Sequence, residues 1–420
     1  MTTMFLVKHD SKTIEGTVNL TGSKSESNRA LIIQAISKGL VQIENISNAD
    51  DTEILQRVIQ EAKNHSGEEP TVLDIGPAGT AMRFMTSYLN FLPGKFILTG
   101  TDRMKQRPIG VLTDALKELG CNLKSTHKEG YPPLEISGPF IQKVNNLAID
   151  GNISSQYISS LLLIAPYLPS GLDLKIKGEL TSRPYVEMTL EMLQSTGIQY
   201  KWEDNHIHIS PQEYKKSSWL VEPDWSAASY WYSILALSES GELYLPALKK
   251  ESLQGDRQIA EIMELFGVKT EFIDQDKHGI RLTKITPKIQ HEVIDFTTCP
   301  DIAQTVVVVA AALKKDIQIT GLHTLRIKET DRIAALQNEI AKFGCKLLEK
   351  GNIFHLDTSG SFTPESLTFE TYEDHRMAMA FAPLALTFPE IKIKEPQVVD
   401  KSYPEFWKHL ANVGFAIEEA

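Results

Sequence analysis

The residues with the clearest chemical potential sit where helical patterns begin. TGSKSESNRALIIQAIS opens with Lys24 and Ser25, and Arg29 follows four residues after Ser25, on the same helix face. Free N–H groups, a hydroxyl and two cations make an anion site. The plainer alternative is that Ser25 caps the helix and Arg29 faces water. GxxxxGK[ST] is absent, so this is not a P-loop. In DIGPAGTAMRF, Gly79 and Thr80 either let a ligand approach the backbone or make an ordinary turn. In RMKQRPIGVL, Pro108 is expected at the first helical position, which sets Arg107 beside a helix N-terminus. An arginine there opposes the helix dipole unless it holds an anion. Ser154, Ser155 and Gln156 open an apolar helix with three hydrogen-bonding side chains, costly to bury unpaired. Ser182-Arg183-Pro184-Tyr185 repeats the Arg-Pro arrangement, with Ser182 as an alternative N-cap.

Acids join the bases further on. Asp301 precedes the apolar run Val306–Leu313, as a reactive acid or as a cap. LRIKETDRIAAL holds Lys328, Glu329 and Arg332, as site residues or as a solvated turn; Lys328 and Arg332 are four apart if helical. Arg376 follows Asp374-His375 at another apolar opening, and Lys401 precedes Ser402-Tyr403-Pro404. Seven cations (Lys24, Arg29, Arg107, Lys328, Arg332, Arg376, Lys401) thus lie at or near helix openings. Gathered on one side, they would hold more than one phosphate or carboxylate, and Asp301 and Glu329 would be the acid/base pair. The eleven histidines show no metal-ligand spacing.

The elements that position these residues repeat. Five helical patterns stop at Gly120, Gly197, Gly267, Gly344 and Gly414, spaced 77, 70, 77 and 70 residues apart. Between them lie nearly wholly apolar helices beginning near Gly79, Ser155, Trp225, Asp301 and His375, expected to be buried on all sides. The glycine-terminated set is amphipathic: in DRIAALQNEIAKF, Ile333, Leu336, Ile340 and Phe343 share one face and Arg332, Glu339 and Lys342 the other. Strands are expected at Val41–Ile46, Leu172–Ile176, His206–Ile209 and Ile391–Ile393. Helices after Ser25 and after Asp51 complete six α/β units in 420 residues, with buried helices inside a shell of sheet and surface helices.

The chain has 43 basic and 54 acidic residues, a net charge of −11, which argues against a duplex nucleic-acid binder but not against a small anionic substrate. Three scattered cysteines fit neither a disulfide framework nor a zinc site. No signal-peptide core or bilayer-length apolar run is present, and a soluble cytoplasmic protein is expected.

Taken in order, GSKSESNRA, AGTAMRF, RMKQRPIG, SSQYISSLL, SRPYVEMT, the Asp301 segment, LRIKETDR, DHRMAMA and the Lys401 segment resemble the 3-phosphoshikimate 1-carboxyvinyltransferase (EPSP synthase) family over residues 20 to 410. The resemblance implies an inside-out α/β barrel of two domains, each of three βαβαββ-type units, with the active site in the cleft between them. The domains would be 23–223, and 1–22 with 224–420. It implies transfer of the enolpyruvyl group of phosphoenolpyruvate to shikimate 3-phosphate with release of phosphate, in a monomer needing no metal or organic cofactor. By matched position, Lys24, Ser25, Arg29, Ser154, Ser155, Gln156, Ser182, Asp301 and Lys328 would hold shikimate 3-phosphate. Lys24, Gly79, Arg107, Gln156, Arg332, Arg376 and Lys401 would hold phosphoenolpyruvate. Asp301 would take the proton of the attacking hydroxyl, and Glu329, assisted by Lys24, would serve the enolpyruvyl methylene.

Three positions depart from the common pattern and bear on substrate contacts and glyphosate: Pro77 and Thr324, where many members have Asn, and Phe84, where many have Pro. Two other functions are open to such a chain. Sister enolpyruvyl transferases acting on UDP-N-acetylglucosamine commonly use a mobile-loop cysteine as an acid, and no cysteine precedes RPIG in this way. A non-catalytic anion-binding protein would need neither Asp301 nor Glu329.

Overall fold

The computed structural model describes residues 3–65, 67–152, 154–274, 278–290 and 293–420. The chain divides into two compact units: Gly22–Val221, and Met1–Thr21 with Glu222–Ala420.

In Gly22–Val221 the main helices are α1 (Lys24–Ile36), α2 (Asp50–Lys63), α3 (Gly79–Tyr88), α4 (Gly110–Leu119), α5 (Ser155–Ile164) and α6 (Arg183–Ser195). The other unit carries α7 (Trp225–Leu237), α8 (Ile259–Leu265), α9 (Ala303–Ala312), α10 (Arg332–Ala341), α11 (His375–Phe381) and α12 (Phe406–Asn412). The apolar helices α3, α5, α7, α9 and α11 are buried along nearly their whole length, as their composition requires. α1 joins α3 and α5 at the centre of its unit, and α7, α9 and α11 form the centre of the other. The amphipathic helices lie outside them. The five repeat glycines all follow a helix with positive φ, between 85° and 108°.

Five sheets share one topology. Thr71–Asp74 runs parallel to Gly94–Thr99, which pairs antiparallel with Leu134–Gly138, and that strand with Asn122–Ser125. The same order recurs in Asn146–Asp150, Leu172–Lys177, His206–Ile209, Lys201–Glu203 and in Val293–Asp295, Ile317–Thr320, Ile353–Asp357, Lys346–Lys350. Thr13–Thr17 supplies the first strand to Ser240–Pro246, Gly279–Lys284 and Val268–Ile273. Met4–Lys8 is inserted between Ile391–Lys394 and Ala416–Glu419, with Leu367–Phe369 at the edge. The sixth sheet is reduced to the parallel pair Val41–Glu44 and Ser217–Leu220. Its first strand stops two residues short of the expected Ile46, because Asn45 turns to φ 56° and donates its side-chain amide to the Val221 carbonyl at 2.9 Å. Among the described residues each sheet is open, so the units are built of separate sheets on a helical centre rather than of a closed strand ring.

Side-chain contacts join the central helices near their openings. Arg29, Phe84 and Ser159 lie four or five residues into α1, α3 and α5. The Arg29 guanidinium is 5.6 Å from the Phe84 ring centre and 3.1 Å from the Ser159 hydroxyl. The three helices therefore meet within five residues of their openings. In the other unit Ser229 meets Thr305 at 3.4 Å, Gln304 meets Met377 at 3.0 Å, and Arg376 meets Tyr230 at 3.5 Å. α7, α9 and α11 thus meet near their openings as well. Each unit gathers three helix N-termini, and three positive dipole ends, at one place.

Candidate active site

In Gly22–Val221 the gathered openings hold Lys24, Gly79 and Gln156. Ser23 caps α1, so Ser25 lies inside the first turn and its hydroxyl is not the cap. The Ser25 carbonyl accepts from Arg29 Nη1 at 2.9 Å, consistent with the shared face. Lys24 Nζ pairs with Asp51 at 3.0 Å. Arg29 is 2% exposed and is held by neutral groups: Thr189 Oγ1 at 2.8 Å, Ser159 Oγ at 3.1 Å and the Tyr185 carbonyl at 3.2 Å. Burial pulls its pKa down to about 10, so it remains a cation at neutral pH. Phe84, one of the departures, lies against that guanidinium as a cation–π partner.

Arg107 is the most telling residue of this unit. It is 8% exposed, its Nε is enclosed without a hydrogen-bond partner, and among the described residues its guanidinium makes no ion pair. It lies against the backbone of Gly79: a Cβ there would come within 2.7 Å of Nη1. Gly79 is therefore the residue that lets this cation reach the α3 opening. The Pro108 expectation needs correction. α4 begins at Gly110, because the Ile109 N–H is taken by the Gly130 carbonyl and the Pro108 carbonyl by the Tyr157 hydroxyl. Arg107 serves the opening of α3, not that of α4.

Ser154 caps α5, Ser155 is buried, and Gln156 Nε2 reaches Thr80 Oγ1 at 3.2 Å, tying the α5 opening to that of α3. Ser182 does not cap α6; it stands at φ 53°. Such a left-handed serine is uncommon and marks a constrained turn. Its neighbour Arg183 points away, paired with Glu187 at 2.7 Å and over the Trp202 ring.

The other unit holds a dense charge network. Arg332, 1% exposed, donates to Asp301 (2.9 Å), Glu329 (2.8 Å) and Asp374 (2.7 Å). Lys328 and Arg376 each stand 3.3 Å from Asp301, and Lys401 stands 3.0 Å from Glu329. Asp301 caps nothing; both of its oxygens face cations. Burial works to raise its pKa, but Arg376, Lys328 and Arg332 overcome that and hold it well below the usual carboxylate range. The same carboxylates keep Arg332 above its ordinary value despite burial.

Two sequence-based expectations change here. Arg332 and Glu339, placed on a solvent face by periodicity, are both 1% exposed. Ion pairing makes this tolerable: Glu339 accepts from Tyr372 (2.8 Å), Lys342 (2.6 Å) and the Glu370 N–H (3.0 Å). Lys328 does not share a helix with Arg332, because α10 starts only at Arg332, capped by Asp331; both still reach Asp301. Asp51, Asp374 and Ser226, which contact the cations, and Asp256, which accepts from Ser226, are not among the residues the sequence points to. Of these only Asp374 carried a local signal, as an acid directly before an apolar helix.

The seven cations thus fall into two groups, three and four, each at gathered helix N-termini. Cations gathered at helix openings suit phosphorylated or carboxylated small molecules. The family model for EPSP synthase (3-phosphoshikimate 1-carboxyvinyltransferase) matches residues 8–410. A 3-phosphoshikimate 1-carboxyvinyltransferase of Bacteroides fragilis is 46% identical over 407 residues, 96% of this chain and 97% of that protein. One from Photobacterium profundum is 35% identical over 425 residues, 95% and 96% of the two chains. The chain belongs to the EPSP synthase family. Solved structures share the fold: EPSP synthase from Acinetobacter baumannii has a TM-score of 0.76 at 21% identity with full coverage of both chains. The enolpyruvyl transferase NikO from Streptomyces tendae has 0.74 at 14% identity, covering 100% and 99%.

Proposed function

We infer that the protein transfers the enolpyruvyl group of phosphoenolpyruvate to the 5-hydroxyl of shikimate 3-phosphate, releasing inorganic phosphate. Family membership supports the reaction. The observation that carries it to this chain's own chemistry is Arg107, a buried guanidinium that makes no ion pair among the described residues, against the opening of α3. Such a cation is costly unless an anion completes it. The unit Gly22–Val221 supplies Lys24, Ser25, Arg29, Ser154, Ser155, Gln156 and Ser182 to shikimate 3-phosphate, and Lys24, Gly79, Arg107 and Gln156 to phosphoenolpyruvate. The other unit supplies Asp301 and Lys328 to the first substrate, and Arg332, Arg376 and Lys401 to the second. A cytoplasmic monomer goes with this assignment, on the family resemblance.

The 5-hydroxyl oxygen adds to C-2 of phosphoenolpyruvate, its proton passing to Asp301, while C-3 gains a proton from Glu329 with Lys24 assisting. The tetrahedral adduct then loses the C-3 proton and phosphate. Asp301 is a weak base while three cations face it. Substrate phosphate and carboxylate groups that draw on Arg332, Arg376 and Lys328 raise its proton affinity when the base is needed. The cations stabilise the charge that builds on the departing phosphate.

Phosphate release that requires both substrates together tests the reaction; release from phosphoenolpyruvate alone would be hydrolysis and would contradict it. Arg107→Ala is expected to raise the KM for phosphoenolpyruvate by about 10–100-fold, the scale of a charged hydrogen bond. The KM for shikimate 3-phosphate should change much less, and equal losses for both ligands would remove Arg107 from the phosphoenolpyruvate site.

A further inference from the structure

Asp256 stands beside the charge network but has no part in the mechanism above. It lies on the one-turn segment Gly255–Gln258 and is 1% exposed. Its placement is fixed by bonds to the start of α7. Gln254 accepts from the Trp225 N–H at 2.9 Å and donates to the Pro223 carbonyl at 2.9 Å. Glu222 accepts from Ser252 at 2.6 Å, the Lys249 N–H at 2.8 Å and Trp225 Nε1 at 2.9 Å. So held, Asp256 Oδ2 accepts the hydroxyl hydrogen of Ser226. The donated hydrogen leaves the Ser226 oxygen facing Arg376 Nη2, at 3.4 Å. Asp256 Oδ1 is enclosed without a hydrogen-bond partner.

We propose that Asp256 is a positioning residue that works through Ser226: its carboxylate sets the serine hydroxyl as an acceptor for Arg376 and so seats that cation for phosphoenolpyruvate. The assignment rests on the function inferred above. The chemistry is directional. An ionised Asp256 can only accept, so Ser226 must donate to it and present its lone pairs to Arg376. A protonated Asp256 can donate to Ser226 instead, which turns the hydroxyl hydrogen toward Arg376 and unseats it. The charged and titratable groups facing Asp256 are Asp301, Arg376, Asp224 and Cys299. Burial first, then Asp301, push its pKa up to about 6 against the pull of Arg376. The ionised, seating form is therefore complete above that range and is lost as pH falls through it.

The test compares wild type, Asp256→Asn and Ser226→Ala in steady-state kinetics between about pH 5 and 8, a window set by the raised carboxyl. Wild-type turnover with both substrates establishes the reaction independently of this proposal. Phosphate monoesters ionise near pH 6 themselves, so the discriminating reading is the order of the acid limb of kcat/KM for phosphoenolpyruvate. Two protons are expected to govern it in wild type and one in both variants. At neutral pH Ser226→Ala is expected to lose about 10-fold in kcat/KM for phosphoenolpyruvate, the scale of a hydrogen bond to a charged group, while Asp256→Asn, whose amide oxygen can still accept from Ser226, loses less and is read from its acid limb. The KM for shikimate 3-phosphate should stay near wild type. If Asp256→Asn does not fold, Ser226→Ala, which keeps the carboxylate, decides alone. An unchanged limb, or equal losses for both substrates, would overturn the proposal.

Discussion

Glu329→Ala is expected to fold and to lose about 10²–10⁴-fold in turnover, the usual worth of a positioned acid/base group. Glu329 sits between Arg332 at 2.8 Å and Lys401 at 3.0 Å, with its side chain 14% exposed. That is enough access for proton exchange and enough cationic surrounding to keep the carboxylate in place. Removing it frees two cations that the scheme assigns to phosphoenolpyruvate. Binding of that substrate should therefore hold or tighten while kcat falls. Glu329→Gln separates the roles further. It keeps the shape and can still accept from a cation, but it cannot carry a proton to C-3. A purely structural Glu329 would be rescued by Gln; a proton carrier would not. Undiminished turnover in either variant would remove Glu329 from the mechanism.

The largest stability effect is expected at Arg332. Arg332→Met leaves Asp301, Glu329 and Asp374 without their shared cation, in a place where the Asp374 side chain is 0% exposed. Removing one partner of a buried ion pair typically costs about 3–5 kcal/mol, because the remaining charge stays buried. Urea unfolding at neutral pH should show a loss of that size, together with loss of turnover. The pH dependence has a definite sign. The Asp301 pKa is depressed in the folded protein, so its contribution is present above the unfolded carboxylate range, near about 4, and fades below it. The deficit of Arg332→Met should be full at neutral pH and shrink as pH falls below about 4. A deficit that is small at neutral pH, or independent of pH, would show that the network does not hold this unit together.

Much of the helical plan was readable because glycine spacing and apolar runs are local signals. Gly120 and its four counterparts mark helix ends, and the buried helices begin at Gly79, Ser155, Trp225 and His375. The sheets were less readable because three of them pair strands from far apart in sequence, Val41–Glu44 with Ser217–Leu220 among them. Thr13–Thr17 completes the sheet of Ser240–Pro246, and Met4–Lys8 that of Ile391–Lys394. No local pattern encodes such pairing. Among the site residues, basic groups at helix openings stood out because the dipole disfavours them there. Of the carboxylates that hold them, Asp301 and Glu329 stood out too, but Asp51 and Asp374 did not. Asp374 caps a helix, as many aspartates do, and Asp256 lies in a polar loop with no distinguishing spacing. Glu339 shows the limit of periodicity most clearly: a charged residue on the polar face of an amphipathic helix is buried because Tyr372 and the Glu370 N–H, from outside the helix, join Lys342 in donating to it.

Enolpyruvyl transfer by these charge clusters is expected to be confined to one acceptor. The most direct measurement is inorganic phosphate release from phosphoenolpyruvate by the purified protein, with shikimate 3-phosphate and with UDP-N-acetylglucosamine as parallel acceptors. Release with shikimate 3-phosphate and none with the nucleotide sugar is the predicted result. No release with either acceptor from folded protein, or release with the nucleotide sugar alone, would contradict it.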